Sequence, residues 1–489
     1  MPRQLHSIDR IFLDMETPDN SMGITPLYFY DPSGLANGTF NIEALLEHID
    51  QCVRSIPVLC GKLHRTPLDL DNPYLVEDKN YDVNNHVTHY VLKDSSSIKD
   101  LSNAITQYQE RTLDTSKPLW DAMVISGINI KTLPKDCFLI ALKIHHAVAD
   151  GMTLMNLTAK LHGQIKIGAP VKLASNSSLL SGGLLGMASR VFANNLKQSI
   201  QLVNPLLKVA PRLSVNAINY FFDNLNQSSE PVAQTRFAGN VTPKRVWGYT
   251  PLAIEPLNRV RKLLPSCSLN DALLTVIAGG LREYLESKNE LPEFAMRAMA
   301  PINVRSEGEV GAAGNEISMM SLSLPVEIAD PMERLVEVIK FTCNAKDQQL
   351  KLGSRNVSEL AKNLPAAYLS YMNKIVSSSS ANKMVSKLGN TVVTNVPGPK
   401  EELNMLGARL INMAGIGPVS DGVGLLHGVM SYNGSMVVNV VSCPSMIPDI
   451  KFYIECIKNS YEKLLEAADA RYANLIDEQF GQALLNETH

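Results

Sequence analysis

His145 and His146 end an apolar run, Phe138-Leu-Ile-Ala-Leu-Lys-Ile144, and Ala147-Val148-Ala149-Asp150-Gly151 follows to complete an HHxxxDG element. Neutral imidazole, with an ordinary pKa near 6.5, can take a proton from a hydroxyl at neutral pH, which is general-base chemistry. Side chains alternate across a strand, so the two histidines point to opposite sides. His146 shares parity with Phe138, Ile140, Leu142 and Ile144, an unbroken apolar file, whereas His145 shares parity with Lys143. The pattern therefore places His146 on a dry inward face as the base. Asp150, past the strand end, suits bracing the turn through backbone N–H groups or an arginine, and Gly151 supplies the φ freedom of a sharp turn into a helix. Taken alone, the pair also reads as two hydrogen-bonded structural histidines. A metal site lacks third and fourth ligands at recognisable spacing, and a serine hydrolase would need a G-x-S-x-G elbow that this chain does not contain.

The elements that must position these residues follow from periodicity. Residues 41–56 read as an amphipathic helix with Leu45, Ile49, Cys52 and Val53 on one stripe. A strand over 88–92, a helix over 97–111, a strand over 123–128 and the histidine-bearing strand come next, then a helix over 152–161. Residues 163–183 are rich in Gly, Pro and Ser and read as linker, and 227–240 form a second polar connection. The second half begins with a strand near Arg245–Tyr249 and a helix near Pro256. A longer helix spans 269–285, where Ala278-Gly279-Gly280 permits close backbone approach. Strands at 294–304 and 317–326 precede a helix opened by Asp330-Pro331, an Asp cap with Pro at the first helical position. Strands at 392–395 and 436–441 and a helix over 451–467 close the chain. The expected organisation is one domain over 1–175, a crossover over 176–240 and a second domain over 241–489.

A chain of 489 residues suits two domains, and 45% apolar against 19% charged residues marks it as globular. Seven scattered cysteines, an odd number, point to reduced thiols and a cytoplasmic setting. Arg3, Asp9, Arg10 and Asp14 break any signal-peptide pattern, and there is no apolar run of about 18 residues to span a bilayer. Net charge is −3, yet no Asp or Glu occurs between Gly151 and Phe222, a stretch holding Lys160, Lys166, Lys172, Arg190, Lys197, Lys208 and Arg212. Within it Leu184, Ala188, Val191, Phe192, Leu196, Ile200 and Val203 recur at helical spacing opposite Arg190, Asn194, Lys197 and Gln201. This basic amphipathic segment reads either as a helix packed on its own protein or as an interfacial element over 184–212 resting on anionic lipid or an oil droplet. Nucleic acid is excluded as a partner by a pI of about 6.4 and the lack of an aromatic-basic patch.

The HHxxxDG element resembles that of the CoA-dependent acyltransferase superfamily, which includes chloramphenicol acetyltransferase and condensation domains. Within it the chain is similar, nearly end to end, to the wax ester synthase/diacylglycerol acyltransferase family. The resemblance is carried by Ser7-Ile8-Asp9, Phe12-Leu13 and Glu16-Thr17-Pro18, by Leu113-Asp114 with Pro118-Leu119-Trp120, and by Asn270-Asp271-Ala272-Leu273-Leu274. Pro301-Ile302-Asn303-Val304-Arg305 with Gly314-Asn315, and Thr394-Asn395-Val396-Pro397-Gly398-Pro399, complete the order. Gly23 stands where the family usually has His, Asn303 where Ser is common, and Cys443-Pro444 where an Asp-Arg pair is usual. The D-F-G-W-G element of plant relatives and any carrier domain are absent.

The resemblance implies an α/β fold (α+β, chloramphenicol-acetyltransferase-like) of two similar mixed-sheet domains with a channel between them. It implies an O-acyltransferase that moves a long-chain acyl group from acyl-CoA, a co-substrate rather than a bound cofactor, to a fatty alcohol or diacylglycerol. His146 would act as base, supported by His145, Asp150 and Gly151. Asn270 would donate to the oxyanion, unless Asn270 and Asp271 merely cap a helix. Pro118, Leu119, Trp120, Asn315 and Asn395 are substrate-binding candidates, with Trp120 also read as packing. No metal is implied, and basic charges of the 151–222 stretch could meet the phosphates of CoA. The alternatives are a same-fold enzyme with another alcohol acceptor and a non-catalytic acyl-CoA- or droplet-binding protein.

Overall fold

A computed structural model describes residues 3–35, 41–66, 69, 71–149, 151–171, 173, 189, 191–194, 233–303, 317–352 and 389–486. The first half comprises β1 (Arg3–Gln4), α1 (Ser7–Met15), β2 (Gly23–Asp31), α2 (Ile42–Arg54), β3 (Gly61–His64), β4 (Tyr74–Glu77) and β5 (Val87–Val91). It continues through α3 (Ile98–Glu110), β6 (Trp120–Ile128), β7 (Cys137–His145) and α4 (Gly151–Leu161). The second half comprises β8 (Val246–Ala253), α5 (Ile254–Lys262), α6 (Leu269–Ser287), β9 (Met296–Asn303), β10 (Ile317–Leu324) and α7 (Pro331–Leu352). It ends with β11 (Thr391–Val396), β12 (Asn404–Met405), β13 (Ala408–Ile416), β14 (Leu425–Tyr432), β15 (Ser435–Ser442) and α8 (Ile450–Asn486).

Two mixed sheets dominate. The first has the order β12-β13-β2-β7-β6-β5 and the second β10-β9-β11-β14-β15-β8, while β1, β4 and β3 form a small third sheet. The expected division at residue 241 is crossed, because β12 and β13 come from the second half yet complete the first sheet. The reason is visible in β2, almost wholly buried, whose outer edge would otherwise hold unpaired backbone groups. β13 pairs with it antiparallel from Arg409↔Asp31 to Ile416↔Thr25, and the Arg409–Asp31 ion pair at 2.9 Å fixes one end.

Local chemistry starts the helices where it should. Asp330 accepts from the backbone N–H groups of Met332 and Glu333, both at 2.8 Å, which opens α7. Ser268 caps α6, and the Asp271 carboxylate accepts from the Ser268 backbone N–H in return, a capping box. A Cβ on Gly280 would lie 2.9 Å from the Cα of Ile457, so α6 and α8 meet backbone to backbone at the predicted glycines.

β7 is buried on both faces. Phe138, Ile140, Leu142 and Ile144 join Trp120, Tyr28 and Leu157 in one core, whereas Leu139 and Ala141 join Leu101 and Ile105 of α3 in a core continuous with that of the second half. The two halves therefore share apolar interior as well as strands.

Two buried histidines tie this interior to pH. His427 on β14 is wholly buried, with Nδ1 2.9 Å from Thr391 Oγ1 and Nε2 2.6 Å from Tyr453 OH, and burial pushes it down to about 3. His162 sits 2.9 Å from Tyr30 OH and is pushed down to about 4, again chiefly by burial. Between these values and the ordinary 6.5 the unfolded chain binds more protons than the folded one, so stability present above pH 6.5 is lost as pH falls. Urea midpoints should decline from pH 7 to pH 5, and less steeply for His427→Gln; identical slopes for both proteins would contradict this.

Candidate active site

β7 delivers the histidines and the chain turns at once. The backbone N–H of His145 donates to Leu119 O at 3.0 Å, that of His146 to Met22 O at 2.9 Å, and that of Val148 to His145 O at 3.0 Å. The remaining N–H, of Ala147, donates to the ring Nδ1 of His145 at 3.0 Å. His146 is half-buried with its Nδ1 shielded, and its ring stacks on Phe12 of α1 at 3.9 Å and 7°.

His145 has no exposed surface. Because its Nδ1 accepts a hydrogen bond, its proton sits on Nε2, which faces Glu16 Oε2 at 3.4 Å. The same Glu16 oxygen accepts from Met22 N–H at 2.9 Å. Burial raises the Glu16 pKa, but His145, Met22 N–H and Lys143 outweigh it, so the carboxyl is held below its usual range. His145 is thus a buried brace of the turn.

Lys143 corrects a second expectation. Its parity suggested a wetter face, yet it is 1% exposed. Its ammonium donates to Tyr108 O at 2.7 Å and to Arg111 O, at the C-terminal end of α3, where the helix field favours a cation. Burial lowers its pKa to about 8, against the opposing pull of Asp121 and Glu16. Gln109, one turn of the same helix end, donates to Gly23 O at 2.7 Å and accepts from Thr25 Oγ1 at 2.5 Å. Glu110 meets Arg245 N–H at 3.0 Å and Lys244 Nζ at 3.2 Å, tying the histidine strand to the start of β8.

The other candidates divide. Leu119 and Trp120 are wholly buried in the first core, and Trp120 stacks on His86 at 4.6 Å. Leu119 acts through its carbonyl on His145, and Pro118 bridges to Lys62. Asp271 is the capping-box carboxylate, buried at 1%. Asn270 is exposed, and its Oδ1 accepts from Asn395 Nδ2 at 3.2 Å, so two candidates meet at the junction of α6 and β11. Asp150 and Asn315 lie outside the described residues. Gly151 begins α4 with open space around its Cα.

A cavity of about 280 Å³ lies between the halves and is overwhelmingly apolar. Leu154, Met155 and Thr158 of α4 and Ile24 and Tyr28 of β2 form one side; Thr394 and Val396 of β11 and Leu426 and Met430 of β14 form the other. β13, the exchanged strand, lines it with Met413 and Gly415. His146 is not on this lining, but the motif flanks it: Ile24 pairs with Ile144, and α4 starts at the motif's glycine. Asn395 points away from the cavity while its neighbours Thr394 and Val396 line it.

A family model described as the wax ester synthase/diacylglycerol acyltransferase catalytic domain matches residues 5–273, more than half of the chain, and the corresponding C-terminal domain matches 313–465. The chain belongs to the wax ester synthase/diacylglycerol acyltransferase family. A putative diacylglycerol O-acyltransferase of Mycobacterium tuberculosis is 27% identical over 479 residues, covering 95% of this chain and 91% of the relative. An O-acyltransferase of Acinetobacter baylyi is 27% identical over 452 residues, covering 91% and 93%. In fold, the wax ester synthase/diacylglycerol acyltransferase of Marinobacter aquaeolei superposes with a TM-score of 0.65 at 19% identity, covering 95% of this chain and all of that one. The first condensation domain of the CDA synthetase gives 0.56 at 12%, covering 96% and 97%. Family membership makes this chain an acyltransferase, with the two-domain mixed-sheet fold that the motifs implied.

Glu16, Lys143, Gln109 and Phe12 were not read as site residues from sequence. In this wax ester synthase/diacylglycerol acyltransferase family member, Lys143→Met should strip Tyr108 O of its ammonium donor and leave Arg111 O only the Ser21 hydroxyl at 3.4 Å, costing about 1–3 kcal/mol of stability. Urea denaturation measures it, and an unchanged midpoint would show the buried ammonium to be dispensable.

Proposed function

We propose that the protein esterifies a fatty alcohol or diacylglycerol with a long-chain acyl group from acyl-CoA, with His146 as general base. The observation that carries this reading is a half-buried imidazole, rigidly held at the end of a dry strand, whose flanking elements line an apolar cavity between the halves. With Nδ1 shielded from solvent, we assign Nε2 as the nitrogen that meets the acceptor hydroxyl. As the acceptor oxygen attacks the thioester carbonyl carbon, Nε2 takes its proton and a C–O bond forms. The tetrahedral oxyanion then collapses, the C–S bond breaks, and the proton passes to the departing thiolate to give free CoA and the ester. No acyl-enzyme is needed, since holding both substrates together supplies much of the rate by proximity. Asn270 remains our oxyanion candidate: with its oxygen taken by Asn395, its N–H₂ is the half available to donate. His146→Ala, assayed by thiol release from palmitoyl-CoA with hexadecanol, should lose about 10²–10⁴-fold in kcat. A rate near wild type would falsify the assignment.

The 184–212 segment lies outside the described residues except Ser189 and 191–194. Within that window Asn194 Nδ2 donates to Asp71 Oδ2 at 2.8 Å and to Tyr74 OH at 2.9 Å, while Phe192 is 71% exposed. Asn194 thus docks on the protein while Phe192 faces outward, an arrangement that supports a lipid-resting segment. We infer peripheral contact with a membrane or droplet surface through this segment; among the described residues no helix is long and apolar enough to cross a membrane. Combined charge reversal at Arg190, Lys197 and Lys208 should weaken co-sedimentation with anionic liposomes, at about 1 kcal/mol per lost basic residue. Undiminished binding would remove the inference.

A further inference from the structure

Helix α1 touches the histidine turn twice, and neither contact is explained by the helix's own stability. Phe12 and Glu16 are four residues apart, hence on one face. Phe12 lies flat against the His146 ring, centroids 3.9 Å apart and planes 7° from parallel. Glu16 stands at the C-terminal end of α1, which has no basic residue in its last turn. A carboxylate there opposes the helix dipole, and half-burying it adds a desolvation cost. Both costs are offset by what the carboxylate holds. One oxygen, Oε2, accepts from Met22 N–H at 2.9 Å and faces His145 Nε2 at 3.4 Å.

Each of those partners leads to His146 in one step. Met22 O takes the N–H of His146 at 2.9 Å, and the His145 ring takes the N–H of Ala147, the residue after it, at 3.0 Å. The backbone of His146 is thereby clamped on both sides by groups anchored on a single carboxylate oxygen, while its ring is clamped by the phenyl face four residues earlier. A flat aromatic neighbour fixes the ring plane and also favours the imidazolium that forms when the base takes a proton.

We propose that Phe12 and Glu16 are positioning residues of the acyl transfer, a two-point brace through which α1 sets the orientation of His146. The proposal rests on the reading of His146 as base. Orientation errors of about 1 Å at a reacting group can cost about 10²-fold. Phe12→Leu and Glu16→Ala should therefore each lower kcat about 10- to 100-fold, with KM for palmitoyl-CoA changed less than about two-fold. Phe12→Tyr keeps the aromatic face and Glu16→Gln keeps an acceptor for Met22 N–H, so both should recover most of the rate. A spectroscopic arm reads the geometry without turnover: in protein carrying ¹³C-labelled histidine, the Cε1–H signal that disappears in His146→Ala belongs to His146. It should move downfield in Phe12→Leu, as the shielding phenyl face is lost, and shift or broaden in Glu16→Ala. An unmoved signal in both variants, or kcat falling in them without rescue by Tyr or Gln, overturns the brace. Wild-type kcat in both variants beside an inactive His146→Ala also overturns it, whereas an active His146→Ala rejects the base itself.

Discussion

The constraint on which the site depends is the ending of a strand that has no wet face. β7 is buried throughout, so the polar backbone where it stops cannot turn to water and must be satisfied by protein. The four successive N–H groups from His145 to Val148 are satisfied by Leu119 O, Met22 O, the His145 ring and His145 O. Three of these acceptors are fixed only because other elements bring them there: Leu119 immediately precedes β6, the loop before β2 carries Met22, and Glu16 lies beside the His145 ring. With its backbone held this way and its ring stacked on Phe12, the His146 imidazole is placed before any ligand binds.

The same economy joins the halves. β2 requires an edge partner and receives β13 from the second half, and β13 in turn forms part of the apolar cavity wall. The exchanged strand β13 is bonded to β2 along its length, so this part of the cavity wall is held by both halves. Arg245 adds a joint away from the cavity, donating to Asp19 O at 2.8 Å from the start of β8. The elements that hold the histidine turn and those that wall the cavity are therefore one connected body, with α3 at its centre: Lys143, Gly23 and Arg245 all end on residues 108–111.

Much of the histidine-bearing strand and its flanking elements was legible because apolar runs bounded by turn residues need no knowledge of partners. β6, β7, α3, α6 and the capped start of α7 stand within a few residues of where periodicity placed them. β2 escaped because Gly23 and Pro26 interrupt its run, and proline ordinarily argues against a central strand. Pro26 is tolerated because pairing with β7 skips from Ile24 to Leu27. β13 escaped because a bulge between Leu410 and Asn412 breaks its alternation and its partner lies in the other half. Glu16 was legible only as part of the Glu16-Thr17-Pro18 family element and not as a site residue, since its partner is His145 and contacts of that separation leave no periodicity. The pair Asn270 and Asp271 was left between oxyanion and cap; the structure gives Asp271 to the cap and brings Asn270 to Asn395.

Two of the three departures from the family pattern, at Gly23 and Cys443, have physical partners. At position 23, where His is usual, any Cβ would stand 3.0 Å from the methylenes of Lys143, whose stem crosses that space to reach α3. Gly23 and the buried Lys143 are therefore one close-packed arrangement: any side chain at 23 would press on the Lys143 stem, which would have to give by a few tenths of an ångström. Cys443, in place of an Asp, is wholly buried and lies 3.5 Å from an Arg245 guanidinium nitrogen that also bonds to carbonyls. Backbone oxygens there do the work that a carboxylate would do, and the neighbouring thiol adds no charge to a buried place. Both departures sit at joints beside the histidine turn or between halves, and neither residue lines the apolar cavity. They adjust how the scaffold is held and leave the lining of the apolar cavity alone.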